Sequence, residues 1–257
     1  MATLEAVELT KYYASIPAAE NVTFRLRGGD VLGCLGPNGS GKSTTVKMLM
    51  GLLEPTRGRV LLDGENIHRD LVDYRKQVGY VPEEPNLYPY LSGREYLDLI
   101  GTLRDIERRA LDKKIDDLLE LFALHPHRHS PIGSYSKGMR QRILLIAALL
   151  DNPSILILDE PLSGLDAVSA IVVKGLIRSL AQMGRAVFYC SHVLEVVEKV
   201  CTSIMILRLG KVIALTGVQD LPRVSAEASL EETFAQLVES ADPGEVSRNI
   251  IEVIASA

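Results

Sequence analysis

The segment that decides the fold reads Gly36-Pro37-Asn38-Gly39-Ser40-Gly41-Lys42-Ser43. It fits the pattern G-x-x-x-x-G-K-S/T in full, follows a strand predicted from Val31 to Leu35, and opens a helix predicted from Thr44 to Leu53. Glycines in such a turn let backbone N–H groups converge on phosphate oxygens, and the following helix presents its positive end to them. We therefore expect the residues from Gly36 to Thr44 to cradle a triphosphate.

Two side chains of this segment have predicted roles of their own. Lys42 is expected to place its positive charge between the β- and γ-phosphates and so to take part in catalysis. The Ser43 hydroxyl suits Mg²⁺, because this hard cation prefers oxygen ligands. The segment thus predicts a nucleoside triphosphate bound together with a magnesium ion.

A pair of acidic residues follows a second apolar run. Ile155 to Leu158 is continuously apolar, as is typical of a parallel strand buried on both faces, and Asp159 and Glu160 come next. Ligands of open α/β sheets bind beyond the carboxyl ends of the strands. We expect Asp159 to hold Mg²⁺ through its water shell, and Glu160 to accept a proton from the attacking water or to orient it. By itself such a pair could merely solvate a loop, but the phosphate-binding segment favours the catalytic interpretation.

The composition is that of a globular protein without a membrane-spanning segment. The 257 residues are 47% hydrophobic and 24% charged, and the net charge of −5 gives no reason to expect nucleic acid as a partner. No signal peptide is recognised, and the longest apolar run, Ile143 to Leu150, is far shorter than the roughly 20 residues that span a bilayer. Any membrane role is therefore expected to come through a partner. The three cysteines are predicted to be reduced, buried thiols: Cys34, Cys190 and Cys201.

The order of the predicted elements indicates an α/β fold with a mainly parallel sheet, because strands alternate with helices along most of the chain. From Ser92 to Leu124 the pattern is instead helical and amphipathic. Two apolar stripes in this part are predicted to pack in the core: Tyr96, Leu99, Ile100 and Leu103, then Leu111, Ile115, Leu118, Leu119 and Phe122. A later helix is predicted around Leu230, Phe234, Leu237 and Val238, and a weakly helical tail around Val246, Ile250, Val253 and Ile254.

Five further segments decide the family. They are Lys11-Tyr12-Tyr13, Val81-Pro82-Glu83, Tyr135-Ser136-Lys137-Gly138-Met139-Arg140-Gln141, Ser163-Gly164-Leu165-Asp166 and Ser191-His192. With them the chain resembles the ATP-binding cassette ATPases over nearly its whole length. The third segment resembles the signature segment of that family, with Ser-Lys-Gly-Met in place of the usual Ser-Gly-Gly-Gln.

The resemblance implies both the architecture and the domain limits. It implies a P-loop NTPase (RecA-like) core with a mainly parallel sheet, an N-terminal antiparallel β subdomain and an inserted α-helical subdomain. We expect one cassette over residues 1–240, with the core at about 1–84 and 151–220 and the helical subdomain at about 85–150. Residues 241–257 are then a C-terminal tail.

The resemblance also implies a dimer in which ATP and Mg²⁺ lie between two chains, either two copies of this one or two homologous cassettes. In this head-to-tail arrangement Ser136 and Gly138 of the signature bind the γ-phosphate that the partner subunit holds. The segment from Ser163 to Asp166 resembles the D-loop of the family, and its Asp166 is expected to bridge to the opposite subunit's site.

Three more residues take roles from the resemblance. His192 is expected to contact the γ-phosphate and to keep the attacking water in place for Glu160. Tyr13 is expected to stack on adenine, although its neighbour Tyr12 would serve as well. Glu83 stands where the family usually has a glutamine that reaches Mg²⁺ or water; a carboxylate still accepts a hydrogen bond, so we expect its link to the metal to remain.

The run from Pro82 to Tyr88 resembles the Glu-Glu-Pro variant of its loop, which occurs in cassette subunits of exporters whose permease is a separate polypeptide. This implies an ATPase that drives transport from the cytoplasmic face of the cell membrane, held there by an integral membrane permease. Two other functions remain open: a non-transport cassette ATPase acting on nucleic acid or ribosomes, and a nucleotide-gated regulatory subunit. A single cassette without a basic patch disfavours the first, and the presence of both Glu160 and His192 disfavours the second.

Overall fold

Ten strands and seven α-helices make up residues 1–223, the part of the chain that the structure, a computed structural model, describes. The strands are Thr3–Tyr13 (β1), Ile16–Arg27 (β2), Val31–Leu35 (β3), Arg57–Leu62 (β4), Glu65–Asn66 (β5), Val78–Val81 (β6), Ile155–Asp159 (β7), Ala186–Cys190 (β8), Ser203–Arg208 (β9) and Lys211–Gly217 (β10). The α-helices are Lys42–Leu49 (α1), Leu71–Lys76 (α2), Gly93–Leu103 (α3), Arg108–Leu121 (α4), Lys137–Leu149 (α5), Ala167–Gln182 (α6) and Leu194–Val200 (α7). The helix predicted around Leu230, Phe234, Leu237 and Val238 and the tail around Val246, Ile250, Val253 and Ile254 lie outside the described residues.

The strands form two sheets, as the fold class predicted. The larger sheet has the order β10-β9-β3-β8-β7-β6. The five strands from β9 to β6 run parallel to one another, and β10 pairs antiparallel with β9 at one edge. The smaller sheet is antiparallel, has the order β2-β1-β4-β5, and comes from the N-terminal part of the chain. Every residue of β3, β7 and β8 is buried, because both faces of the larger sheet are covered.

Side chains that alternate along these strands feed two hydrophobic clusters. In β3, Leu32 and Cys34 point to a cluster shared with α1 and the antiparallel sheet, whereas Val31 and Leu35 point to a cluster shared with α5, α6 and α7. This arrangement follows from the two-residue period of a strand. It leaves the carboxyl ends of β3, β7 and β8 side by side at one edge of the sheet, where the loops that follow them meet.

A third cluster holds the helical part together, and it corrects one prediction. Residues from α3, α4 and α5 form it, with Leu97 of α3 fully buried. The prediction that the stripe of Tyr96, Leu99, Ile100 and Leu103 packs in the core was wrong for two of its members, since Leu99 is 38% and Leu103 is 68% exposed. The reason is that α3 packs through Leu97 and Gly101, where Leu111 of α4 fits directly against the glycine. The second predicted stripe is correct for Leu111, Ile115 and Leu119, which are fully buried.

One helix boundary also differs from the prediction. The helical pattern from Ser92 to Leu124, with its two predicted stripes, forms the two helices α3 and α4, and the chain turns between them at Asp105, which has a φ of +57°. The helix predicted to reach Leu53 ends at Leu49, and Gly51 just beyond it has a φ of +60°. Both breaks need a left-handed residue, a local conformation that an apolar pattern does not reveal.

Within residues 1–223, no helix has both the length and the apolar character required to cross a membrane. Cys34, Cys190 and Cys201 are all buried and none forms a disulfide, as predicted.

Candidate functional site

The predicted phosphate loop connects β3 to α1, and two of its glycines, Gly36 and Gly41, are required by the way it is packed. Gly41 is the N-cap of α1 with a φ of +105°, and a Cβ there would overlap the carbonyl oxygen of Ala18. A Cβ on Gly36 would overlap the carbonyl oxygen of Leu207. The loop therefore lies against other backbone segments on one side and turns its N–H groups, with the N-terminus of α1, toward a cavity.

Lys42 is held at the floor of this loop. Its side chain is buried, and Nζ donates hydrogen bonds to the carbonyl oxygens of Gly36 at 2.6 Å and Pro37 at 3.0 Å. A buried ammonium group needs such partners, and phosphate oxygens are chemically similar acceptors. Ser43 and Thr44 follow it at the start of α1 and also line the cavity.

The cavity has a volume of about 420 Å³ and brings most of the predicted site residues together. Its lining comes from the phosphate loop, from the ends of β6, β7 and β8, and from β2. The lining residues are Ala18, Asn38, Gly39, Gly41, Lys42, Ser43, Thr44, Glu83, Asp159, Glu160 and His192.

Asp159 is the buried carboxylate of this cavity, 4% exposed at the end of β7. Burial, and then repulsion by the nearby carboxylates of Glu83 and Glu160, raises the pKa of Asp159 to about 6, while the charge of Lys42 opposes this shift. A carboxylate that is destabilised by burial and by like charges is stabilised by a cation. This electrostatic situation fits the predicted magnesium ion.

Glu160 is fixed by the segment that follows β8. Its Oε1 accepts hydrogen bonds from the backbone N–H of His192 at 2.8 Å and lies 2.6 Å from His192 Nδ1, and its Oε2 lies 3.3 Å from Ser191 Oγ. The residue has a φ of +48°, a conformation that non-glycine residues rarely adopt and that recurs at functional sites. The structure thus places Glu160, the predicted general base, in direct contact with His192, which is expected to contact the γ-phosphate.

The signature residues lie elsewhere. Ser136 is the N-cap of α5, and its side chain accepts a hydrogen bond from the backbone N–H of Met139 at 3.2 Å. A Cβ on Gly138 would lie 2.6 Å from the carbonyl oxygen of Gly164, so α5 begins against the D-loop. Neither Ser136 nor Gly138 belongs to the lining of the cavity described above.

Asp166 and Tyr13 are also outside this lining. Asp166 is the N-cap of α6 and accepts hydrogen bonds from the backbone N–H and the hydroxyl of Ser169, both at 2.8 Å; these bonds hold the pKa of Asp166 below its usual value. Tyr13 is the last residue of β1 and is 52% exposed. Ala18, on the strand that pairs with β1, does reach the cavity.

A family model described as ABC transporter matches residues 19–163, more than half of the chain. The chain belongs to the ABC transporter family. It is 39% identical over 209 residues to the uncharacterised ABC transporter ATP-binding protein YxlF of Bacillus subtilis, covering 81% of this chain and 69% of YxlF. It is 31% identical to the ABC-type transporter ATP-binding protein EcsA of the same organism, covering 92% of this chain and 97% of EcsA. It is 34% identical to the bacitracin transport ATP-binding protein BcrA of Bacillus licheniformis, with coverages of 82% and 68%.

Solved structures agree with this assignment. A structure of an ATP-binding subunit of an ABC transporter superposes with a TM-score of 0.85 at 32% identity, covering 91% of this chain and 98% of that one. A dimeric ATP-binding cassette bound to ADP and phosphate superposes with a TM-score of 0.77 at 26% identity, covering 84% and 98%. The chain is therefore an ATP-binding subunit of the ABC transporter family of ATPases.

The oxygen donors of the cavity fit the ions that an ABC ATPase binds. Among the described residues no group of three His, Cys, Asp or Glu side chains forms a metal site of its own. Mg²⁺ bound to a nucleotide does not need one, because it keeps several waters and takes one or two protein ligands beside the phosphates. Ser43 and Asp159, with Glu83 at the edge of the cavity, supply that kind of oxygen donor.

Sequence reasoning missed three contributors to this ABC site. Gly210, in the turn between β9 and β10, donates its N–H to the carbonyl oxygen of Ser40 at 2.9 Å and so supports the phosphate loop. Ser191 lies beside Glu160 and is 3% exposed. Gln141 is a fully buried residue of α5, and its side chain contacts the loop that follows Glu160. Ser191 and Gln141 lie in motifs quoted above, but contacts across the fold are not encoded in local patterns.

Proposed function

We propose that this ATP-binding subunit powers transport across a membrane through a separate transmembrane permease, by ATP-driven closure of a head-to-tail dimer. The observation that carries the proposal is the separation of two phosphate-binding elements. Within the cradle, Asn38, Gly39 and residues 41–44 line a cavity, whereas the helix N-terminus at Ser136 to Gly138 lies outside it. A second chain that presents its own Ser136 turn to the cavity would complete the site.

The exposure of the signature turn supports this arrangement. Ser136 and Lys137 are exposed, and among the described residues the start of α5 is capped by the side chain of Ser136, which accepts from the backbone N–H of Met139. A helix N-terminus of this kind attracts anions. In the dimer, the anion is the γ-phosphate of ATP held by the partner subunit. A related cassette has been solved as a dimer bound to ADP and phosphate, which supports a dimer for this chain.

Hydrolysis is proposed to proceed by attack of water on the γ-phosphate, which breaks the bond to the β-phosphate and yields ADP and phosphate. Glu160 accepts a proton from the water or orients it, and His192, in contact with Glu160, contacts the γ-phosphate. Lys42 stabilises the charge on the transferred group. Bound Mg²⁺, held through Ser43, Asp159 and Glu83, supplies further positive charge to the phosphates.

The permease contact is proposed for the helical part of the chain. Four exposed apolar side chains lie in the loop before α3 and on α3 itself: Tyr88, Tyr90, Leu99 and Leu103. An exposed apolar patch is typical of an interaction surface. This contact would hold the subunit at the cytoplasmic face of the membrane. We propose the same division of the chain as before, with a core at about 1–84 and 151–220, a helical subdomain at about 85–150 and a tail at 241–257.

Two measurements test the proposal. The purified chain is expected to hydrolyse Mg-ATP and, as Glu160→Gln, to become dimeric by light scattering only when Mg-ATP is present. Capture of a multi-span membrane protein by the tagged chain from membranes supports the transport role, whereas capture of ribosomes or nucleic acid supports a non-transport role. Binding without turnover in the wild type would leave a regulatory subunit as the better interpretation.

A further inference from the structure

One buried amide connects the signature helix to the loop that carries Glu160. Gln141 lies in the second turn of α5, has no exposed surface, and donates from Nε2 to the carbonyl oxygen of Pro161 at 3.1 Å. Pro161 directly follows Glu160 in the sequence. The Oε1 of Gln141 is also buried and has no hydrogen-bond partner among the described residues, which adds to the cost of burying this amide, so an apolar side chain would serve better if packing were its only task. The polar choice at this position therefore indicates that the bond itself matters.

Helix α5 contacts the loop after Glu160 a second time, one helical turn before Gln141. Gly138 packs so closely on the D-loop that a Cβ would lie 2.6 Å from the carbonyl oxygen of Gly164. Residues 138 and 141 lie on the same side of α5, because side chains three apart share a helix face. Two contacts on one face fix both the position of α5 and its rotation relative to the segment from Pro161 to Gly164.

That segment is itself tied to Glu160. The backbone N–H of Glu160 donates to the carbonyl oxygen of Cys190 at 3.0 Å, and the N–H of Ser163 donates to the carbonyl oxygen of Glu160 at 3.0 Å. A shift of α5 would therefore pull on Pro161 and change where the Glu160 carboxylate lies. A displacement of about 1 Å in a catalytic group can lower a rate by up to about a hundredfold.

We propose that Gln141 is a positioning residue that keeps the signature turn of each subunit in register with Glu160 of the same subunit. The inference rests on the proposed head-to-tail dimer. There, the signature turn of one chain contacts ATP in the partner's site, while Glu160 acts in its own site. Gln141 thus lies between the two ATP sites of the dimer and couples them.

The test compares the full-length wild type with Gln141→Met, which keeps the length of the side chain but removes the donor, and with Gln141→Asn, which keeps the amide but withdraws it from Pro161. Gln182→Met, at the exposed end of α6, is the matched control. Turnover is normalised to the number of nucleotide-binding sites titrated in each preparation, so that a fraction of misfolded protein does not count. Assays are run well below the lowest melting temperature of the set.

Both Gln141 variants are expected to lower kcat about tenfold, to keep the affinity of the single subunit for Mg-ATP within about twofold, and to bring the Hill coefficient for ATP hydrolysis to about 1. Unchanged kcat and Hill coefficient per binding site, with only a lower melting temperature, would show a purely structural role and overturn the inference. A wild type with a Hill coefficient of 1 would also overturn it. A wild type that neither dimerises nor hydrolyses ATP would instead overturn the proposed function, so the two failures are distinguishable.

Discussion

We propose that two helix N-termini in this chain bind phosphate, and the two differ in how they are built. That of α1 has Gly41 as its N-cap, with a left-handed backbone and no capping side chain, and it is followed by the buried Lys42. That of α5 is capped by the side chain of Ser136 and followed by the exposed Lys137. The first lies at the floor of a cavity with Asp159 nearby, and the second lies on the surface.

The difference shows that a helix dipole alone does not make a nucleotide site. At α1, the loop, the lysine and the carboxylates line one cavity from several sides. At α5, only the helix end and its cap are present, so this end can bind a phosphate only when another surface supplies the rest.

The largest effect is expected for Glu160→Gln, which leaves both helix termini unchanged. Loss of the proton acceptor should lower kcat about a thousandfold, within the range of general base catalysis, while Mg-ATP is still bound. Steady-state phosphate release and nucleotide binding measure the two effects. Glu198→Gln, an exposed change on α7, is the matched control. Retention of more than a tenth of the wild-type rate would show that another group activates the water.

Lys42→Ala alters only the terminus of α1. The affinity for Mg-ATP should fall about a hundredfold, or about 2.7 kcal/mol, because the variant lacks the cation that pairs with the phosphates. Isothermal titration with Mg-ATP measures this, and Lys47→Ala on the exposed side of the same helix is the control. If both lysine variants bind equally well, Lys42 is not the phosphate ligand.

Gly138→Ala adds a methyl group at the terminus of α5. The added Cβ would lie 2.6 Å from the carbonyl oxygen of Gly164 and must displace the D-loop. We expect ATP-dependent dimerisation and kcat to weaken about tenfold, with the affinity of the single subunit for ATP unchanged. Gly175→Ala on α6, where a Cβ meets nothing within 4 Å, is the control and should be neutral or stabilising by up to about 1 kcal/mol. A loss of ATP affinity in the single subunit would contradict the separation of the two termini.

The smallest effect is expected for Glu83→Gln at the margin of the cavity. The amide keeps an oxygen that can face the metal and removes one of the like charges near Asp159, so kcat should change by no more than about threefold. The dependence of kcat on the concentration of free Mg²⁺ measures any change in the metal link. A loss larger than tenfold would show that the carboxylate itself is required.

The local parts of this fold were predictable from sequence. The phosphate loop was predictable because the conformation at Gly41 requires glycine. The buried strand before Asp159 was predictable because both of its faces are covered, so its sequence is continuously apolar. The contact between Glu160 and His192 also follows from neighbouring parallel strands, since β7 and β8 end side by side.

The parts that sequence reasoning missed depend on packing between distant segments. Leu99 and Leu103 match a helical stripe, yet the choice of buried face was made by Gly101, which lets Leu111 approach. Gln141 carries no local signal of its partner, because Pro161 lies 20 residues away and accepts through its backbone. Nothing in a periodic pattern records which carbonyl a buried amide will meet.

Two hairpin turns have the same backbone signs but different tolerance to insertion. Asp63 and Gly64 have φ values of +50° and +85°, and Leu209 and Gly210 have +49° and +79°. A Cβ on Gly64 meets only open space, so a short peptide tag inserted there should leave the fold intact. The same tag at Leu209 would pull Gly210 away from Ser40 and thereby disturb nucleotide binding, although the site of insertion is a surface loop.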